Sequence, residues 1–379
     1  MVKYGVFYAR FQPFTKGHLD ACLQILEGHD ELVIGISNPF RESFEFSPVV
    51  SKEGMALKKE SLLPGNNPFS YWQRLMMMQA SLLGARVDLS RVSIVAKPPT
   101  FALNAVWHDS LPPRESCVIY LQFDHKHHFE NARIHQQERW RLVDLGRVED
   151  YSGSESLSML KQGNWNGAGK LMPKPAVKLA RQFLNPARAE KSKPKYGIFY
   201  GRFQPFHKAQ LQHCMSVLKT HDFLVAGVTN PFREGIKFND TVADSGRASK
   251  MESLQPENNP FSFWERYTMV RNSLLEEGVK PKRFCIVAKP STLSDSLAWL
   301  EAFPPREESE VYLPVKDPHH FDSAAVYRKL GWKVVLAAPI DGYSGTLARR
   351  LMREEKWKEL GTLVPPATLK VMKEVARSG

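Results

Sequence analysis

Short apolar runs alternate along the chain with longer stretches whose apolar positions recur every three or four residues. Val6 to Tyr8, Glu31 to Ile36, Val92 to Ala96 and Cys117 to Gln122 read as buried strands. Lys16 to Leu26 and Tyr71 to Leu83 carry the helical period. Strands alternating with helices predict an α/β fold, a doubly wound parallel sheet covered on both faces. The first strand runs through Gln12-Pro13-Phe14 directly into a helix, which places that loop at the carboxyl edge of the sheet, where open α/β folds bind ligands.

The whole pattern is written twice. Tyr4-Gly5-Val6-Phe7-Tyr8-Ala9-Arg10-Phe11-Gln12-Pro13-Phe14 returns 192 positions later as Tyr196-Gly197-Ile198-Phe199-Tyr200-Gly201-Arg202-Phe203-Gln204-Pro205-Phe206. The same offset pairs Asn38-Pro39-Phe40 with Asn230-Pro231-Phe232, Ile94-Val95-Ala96-Lys97 with Ile286-Val287-Ala288-Lys289, and Tyr151-Ser152-Gly153 with Tyr343-Ser344-Gly345. A period this long exceeds any solenoid unit, so each copy is expected to be a full domain with its own core. The expected division is residues 1–187, a basic linker 188–195, and residues 196–379, giving two tandem Rossmann-like domains. Such doubling suggests an internal pseudo-dimer, compatible with a monomer or a homo-oligomer.

Composition narrows the setting. Of 379 residues, 42% are hydrophobic and 24% charged, which excludes collagenous or mostly disordered classes. Cys22, Cys117, Cys214 and Cys285 are widely spaced with no CxxC pair, so neither a disulfide framework nor a zinc ribbon is expected. No run of about 18 apolar residues and no basic, apolar leader is present, so the expected protein is soluble and cytoplasmic, without a membrane partner. The net charge of +12 favours polyanionic partners, phosphorylated small molecules among them. Part of the excess lies in Arg181, Arg188, Lys191, Lys193 and Lys195, read as a solvated linker rather than a nucleic-acid tail.

Two elements carry candidate chemistry. Thr15-Lys16-Gly17-His18, with Arg10 just before, puts a glycine and an imidazole at a helix start, where unpaired N–H groups and the helix dipole favour a phosphate. A capping threonine explains the same residues without a ligand. Near the end of each copy, Ser152 and Ser154, or Ser344, Thr346 and Arg349, open a second helix with hydroxyls that can hold a phosphate tail, joined in the second copy by the guanidinium. Ser/Thr caps before a solvated basic face are the plain alternative. Asp124, His125, His127 and His128 invite a metal, but the second copy puts Lys316 and Asp317 at the first two positions, so no metal site is expected there. Trp72 and Trp264 read as core, and Asn38 and Asn230 as base contacts or turn residues.

The two elements in this order, together with Asn67-Pro68-Phe69 and Arg74, and with Trp357 and Leu363-Val364-Pro365, resemble nicotinamide-mononucleotide adenylyltransferases of the archaeal type. These are nucleotidyltransferases with an (H/T)xGH motif and a later S(S/G)TxxR-like loop. The resemblance implies binding of ATP or another nucleoside triphosphate with Mg²⁺, attack by a substrate phosphate on the α-phosphorus, and release of pyrophosphate. It places Thr15 and His18, with Arg10, Lys16 and Gly17, around the α- and β-phosphates, and Ser152 and Ser154 on the tail. In the second copy the corresponding set is Arg202, His207, Gln210, Ser344, Thr346 and Arg349. The copies depart from the pattern in complementary ways. Leu157 stands where the second copy has Arg349, while Ala209 and Gln210 replace the glycine and final histidine. The first copy is favoured as the catalytic site, with AMP transfer to an acceptor such as nicotinamide mononucleotide. Two active sites, a site shared by His18 and Arg349, a nucleotide-sensing pseudoenzyme, and CMP transfer to a phosphonate remain open.

Overall fold

The computed structural model describes residues 2–40, 50–52, 55–56, 59, 62–100, 106–122, 126–146, 151–185, 196–231, 242–294, 297–315 and 318–378. The expected linker 188–195 and the Asp124, His125, Lys316 and Asp317 positions fall outside them, as do the side chains of His127 and His128. The chain separates into two compact units, Met1–Lys191 and Ser192–Gly379.

In the first unit the strands are β1 (Tyr4–Ala9), β2 (Glu31–Ser37), β3 (Val92–Lys97), β4 (Cys117–Leu121) and β5 (Leu142–Asp144). They form one parallel sheet in the order β3-β2-β1-β4-β5. After β3 the chain returns to the other side of β1, so the strand order reverses between β1 and β4. That reversal opens a crevice at the carboxyl edge. β2 and β3 are buried almost throughout, as continuous Val/Ile runs require when helices cover both faces. Edge strand β5 is mostly exposed and short, which is why the apolar pattern does not announce it.

The second unit repeats this arrangement with β6 (Tyr196–Gly201), β7 (Phe223–Thr229), β8 (Phe284–Lys289), β9 (Ser309–Pro314) and β10 (Lys333–Ala337), ordered β10-β9-β6-β7-β8 and again parallel. Both units are thus doubly wound Rossmann-like sheets.

Local sequence explains the helices that frame each crevice. Helix Lys16–Gly28 starts at Thr15 and helix Tyr71–Gly84 at Ser70, each in a reciprocal capping box with the side chain three residues on. Helix Tyr71–Gly84 buries Trp72, Leu75, Met78 and Leu82, and Trp264 is buried in its counterpart Phe263–Glu276. Both tryptophans therefore serve the core. All four cysteines are buried and free. Among the described residues no helix is long and apolar enough to cross a membrane.

Candidate active site

The loop after β1 is held open by an unusual backbone. Phe11 has φ 53°, a left-handed conformation that disfavours an aromatic residue, and Phe203 repeats it. Two devices hold it there. Buried Gln12 donates from Nε2 to the Phe69 carbonyl at 2.8 Å and accepts from the Phe69 N–H at 3.1 Å. Gln204 and Phe261 exchange the same pair at 2.9 and 3.0 Å. Behind the loop, the buried Arg74 guanidinium donates to the carbonyls of Arg10, Ser37, Asn38, Pro39 and Ser70 over 2.9–3.3 Å. Arg266 does likewise to Arg202, Thr229, Asn230, Pro231 and Ser262. Five donors in a rigid fork tie the ends of two strands to one helix. Arg74 therefore shapes the crevice rather than facing it. Asn38 and Asn230, with φ 48°, are the turn residues whose carbonyls this clamp takes.

At the helix start, the Thr15 N–H donates to His18 Nδ1 at 3.0 Å. The ring lies among Phe7, Phe11 and Phe14, at 6.2, 5.0 and 5.7 Å between centroids. Burial in this aromatic nest lowers the His18 pKa to about 4, so the imidazole is neutral at pH 7. With Nδ1 accepting, its single proton sits on Nε2. His18 is a neutral hydrogen-bond donor beside free helix N–H groups. Gly17 is buried, and Lys16 and Arg10 are half-buried beside it. Burial also lowers the Arg10 pKa.

The second unit solves the same local problem with an amide. The His207 N–H donates to Gln210 Oε1, also at 3.0 Å, which leaves the Gln210 Nε2 as donor. The substitution keeps the cap and the donor but not the capacity to become cationic. Lys208, the counterpart of Lys16, is tied to the carbonyls of Gly361 and Thr362 at 3.0 and 2.9 Å.

The late motif meets this loop in both units. Ser152 caps helix Gly153–Lys161 and shares a hydrogen bond of 2.8 Å with Ser154. A Cβ on Gly153 would lie 3.9 Å from the Gln12 carbonyl, and one on Gly345 would lie 3.1 Å from that of Gln204. Gly345 thus lets helix Gly345–Arg353, capped by Ser344, approach the loop backbone. From that helix Arg349 donates to the Gln204 carbonyl and to Asn258 Oδ1, each at 2.6 Å, and to Thr346 Oγ1 at 3.2 Å. Burial, with Arg202 and Arg353 nearby, lowers its pKa to about 10, still charged at pH 7. In the first unit Leu157 is buried at that position, and Lys161 is bound to the Gly65 carbonyl at 2.8 Å.

A cavity of about 580 Å³ lies at the carboxyl edge of all five strands of the second unit. It brings Arg202, His207, Gln210, Ser344, Thr346 and Arg349 together. It is also lined by Lys289 and Lys250, which motif reading passes over. Lys97 and Lys289 end the third strand of each sheet fully buried, their ammonium groups 4.1 and 4.3 Å from the Tyr8 and Tyr200 ring centroids. Lys289 donates to Thr292 Oγ1 at 2.5 Å, as Lys97 does to Thr100 at 2.7 Å. A lysine closing an apolar strand in both copies is the sequence signal for this pair. Lys250, on helix Asp244–Ser253, is the other, and gave no such signal.

No protein-family model matches the chain. Over 180 residues, 47% of its length, it is 31% identical to the phosphonoformate cytidylyltransferase of Streptomyces viridochromogenes, of which this covers 90%. Over 184 residues, also 47%, it is 26% identical to the nicotinamide-nucleotide adenylyltransferase of Thermococcus sibiricus, covering 83% of that enzyme. A bifunctional NMN adenylyltransferase/ADP ribose pyrophosphatase from Francisella tularensis aligns at 18% identity over 55% of this chain and 62% of its own, with a TM-score of 0.36. These relatives, on a doubly wound fold of this kind, show a nucleotidyltransferase. The chain belongs to the nucleotidyltransferase family of these cytidylyl- and adenylyltransferases.

Proposed function

We propose that the chain transfers a nucleoside monophosphate from a nucleoside triphosphate to a phosphate-bearing small molecule, releasing pyrophosphate, with the first unit as the transfer centre. The observation that carries this reading is His18, neutral and pinned through Nδ1 so that Nε2–H is the donor. An acceptor phosphate is already ionised at pH 7, so no general base is needed. Its oxygen forms a bond to the α-phosphorus as the bond to the bridging β-oxygen breaks, and the electron pair leaves with pyrophosphate. Catalysis then rests on positioning and on stabilising charge at phosphorus. Thr15, Lys16 and the N–H groups around Gly17 supply positive potential at the helix start, with Arg10 beside them. Ser152 and Ser154 would take the tail. The tail beside Ser152 and Ser154 would carry Mg²⁺ on its own oxygens, and the ion would supply neutralisation of tail charge.

In the second unit Arg202, His207, Gln210, Ser344, Thr346 and Arg349 form the counterpart grip on a triphosphate. The acceptor favoured by the adenylyltransferase relatives is nicotinamide mononucleotide, with ATP as donor. The 31% identity to a cytidylyltransferase supports a second reading, CMP transfer to a phosphonate. Pyrophosphate release is the test, measured for ATP and CTP against nicotinamide mononucleotide and simple phosphonates. Turnover with one pair supports the reading. Tight ATP binding with no release from any pair would assign the chain to nucleotide sensing instead.

A further inference from the structure

The cavity of the second unit has two unlike sides. Beyond β9 and β10 it is lined by Pro314, Val315, Pro339 and Ile340, an apolar wall suited to a flat base. Beyond β7 and β8 it is lined by Lys250, Lys289 and His319, with Arg202 adjoining. Among the described residues Asp341 is the single carboxylate in the lining, and it is exposed on the β10 side.

Lys250 is 5% exposed. Among the described residues no group accepts a hydrogen bond from its Nζ, and the charged groups acting on it, Arg202 and Arg266, share its sign. Burial first, then these cations, pulls its pKa down to about 7; burial also lowers Lys289 and His319, with Lys250 adding to both and His320 to the latter. His319 is oriented by a 2.8 Å hydrogen bond shared between its Nδ1 and Ser249 Oγ. Arg202 is anchored by the Ser253 carbonyl at 2.5 Å. Burying like charges together is costly, and among the described residues no counter-ion offsets it. Lys289 relieves its share through Thr292 and the Tyr200 ring, whereas Lys250 has no such outlet among the described residues.

We propose that the β7/β8 side of this cavity is a binding site for a compact phosphate- or phosphonate-type dianion, held by Lys250 with His319, bordered by Arg202 of the triphosphate grip but independent of Arg349. The site stands whichever unit performs transfer. The same oxyanion chemistry could be met by a free phosphate or phosphonate or by the tail of a nucleotide, and the two sources separate experimentally.

The full chain is titrated calorimetrically with inorganic phosphate and with methylphosphonate at pH 7, alone and in the presence of saturating non-hydrolysable ATP analogue. The expected result is a saturable site for both that persists with the nucleotide bound and weakens at least tenfold in Lys250→Met. Thermal unfolding gives a second readout. Phosphate raises the wild-type midpoint, while Lys250→Met, relieved of a buried charge, melts at or above the wild-type value in phosphate-free buffer and no longer responds. Unchanged binding in the variant, no saturable binding, or displacement of phosphate by the nucleotide would each overturn the proposal.

Discussion

His18 accepts the Thr15 N–H on Nδ1 at 3.0 Å, and this one bond decides which ring nitrogen can face a phosphate. It follows that the ring enters the reaction as a donor that is already formed, without a proton taken from solvent.

The tautomer can be observed directly. Nitrogen-15 spectra are expected to show His18 as the Nε2–H form at pH 7, titrating at about 4 rather than 6.5. The folded-state pKa lies below the unfolded one, so the unfolded chain binds the extra proton first. Stability therefore falls as pH drops from about 6.5 through about 4, and His18→Gln should lose part of that slope. A His18 titration near 6.5 would contradict this.

Glutamine at this position already has a precedent within the chain, because Gln210 accepts the His207 N–H at the same 3.0 Å. His18→Gln should therefore fold and keep its melting temperature at pH 7 within a few degrees. Thr15→Ala, which removes the cap hydroxyl, should cost about 1 kcal/mol in urea unfolding.

Arg74→Met is expected to destabilise far more, by about 3 kcal/mol or greater, since it strands five carbonyl groups at once. Arg74→Lys should recover little, because an ammonium cannot span the fork. A denaturation midpoint near wild type in either variant would refute the clamp.

Much of this was legible before any coordinates. The strands from Val6, Glu31, Val92 and Cys117 and the helices from Lys16 and Tyr71 lie where apolar period and capping residues place them. β5 escaped because three mostly exposed edge residues carry no pattern. The helix-start motifs announced themselves by residue type, but their partners did not. That Arg74 faces carbonyls and that Lys250 acts on Lys289 depend on contacts between segments distant in sequence. Periodicity within one segment cannot encode them.

Leu157 offers a gain-of-function test. In the second unit Arg349 finds the Gln204 carbonyl, Asn258 and Thr346, and the first unit presents Gln12, Asn66 and Ser154 at the same offset. Leu157→Arg should tighten ATP binding to the first unit, on the order of tenfold. Arg349→Ala should weaken binding to the second unit by a similar factor. Calorimetry that shows no change in either variant would remove the phosphate-tail role from this position.

The most direct test of the account is the turnover number for pyrophosphate release in His18→Ala and Gln210→Ala, measured side by side with the wild-type chain. Transfer in the first unit predicts a loss on the order of 10²-fold or more for His18→Ala and near wild-type turnover for Gln210→Ala. Equal losses, or a selective loss in Gln210→Ala, would contradict it.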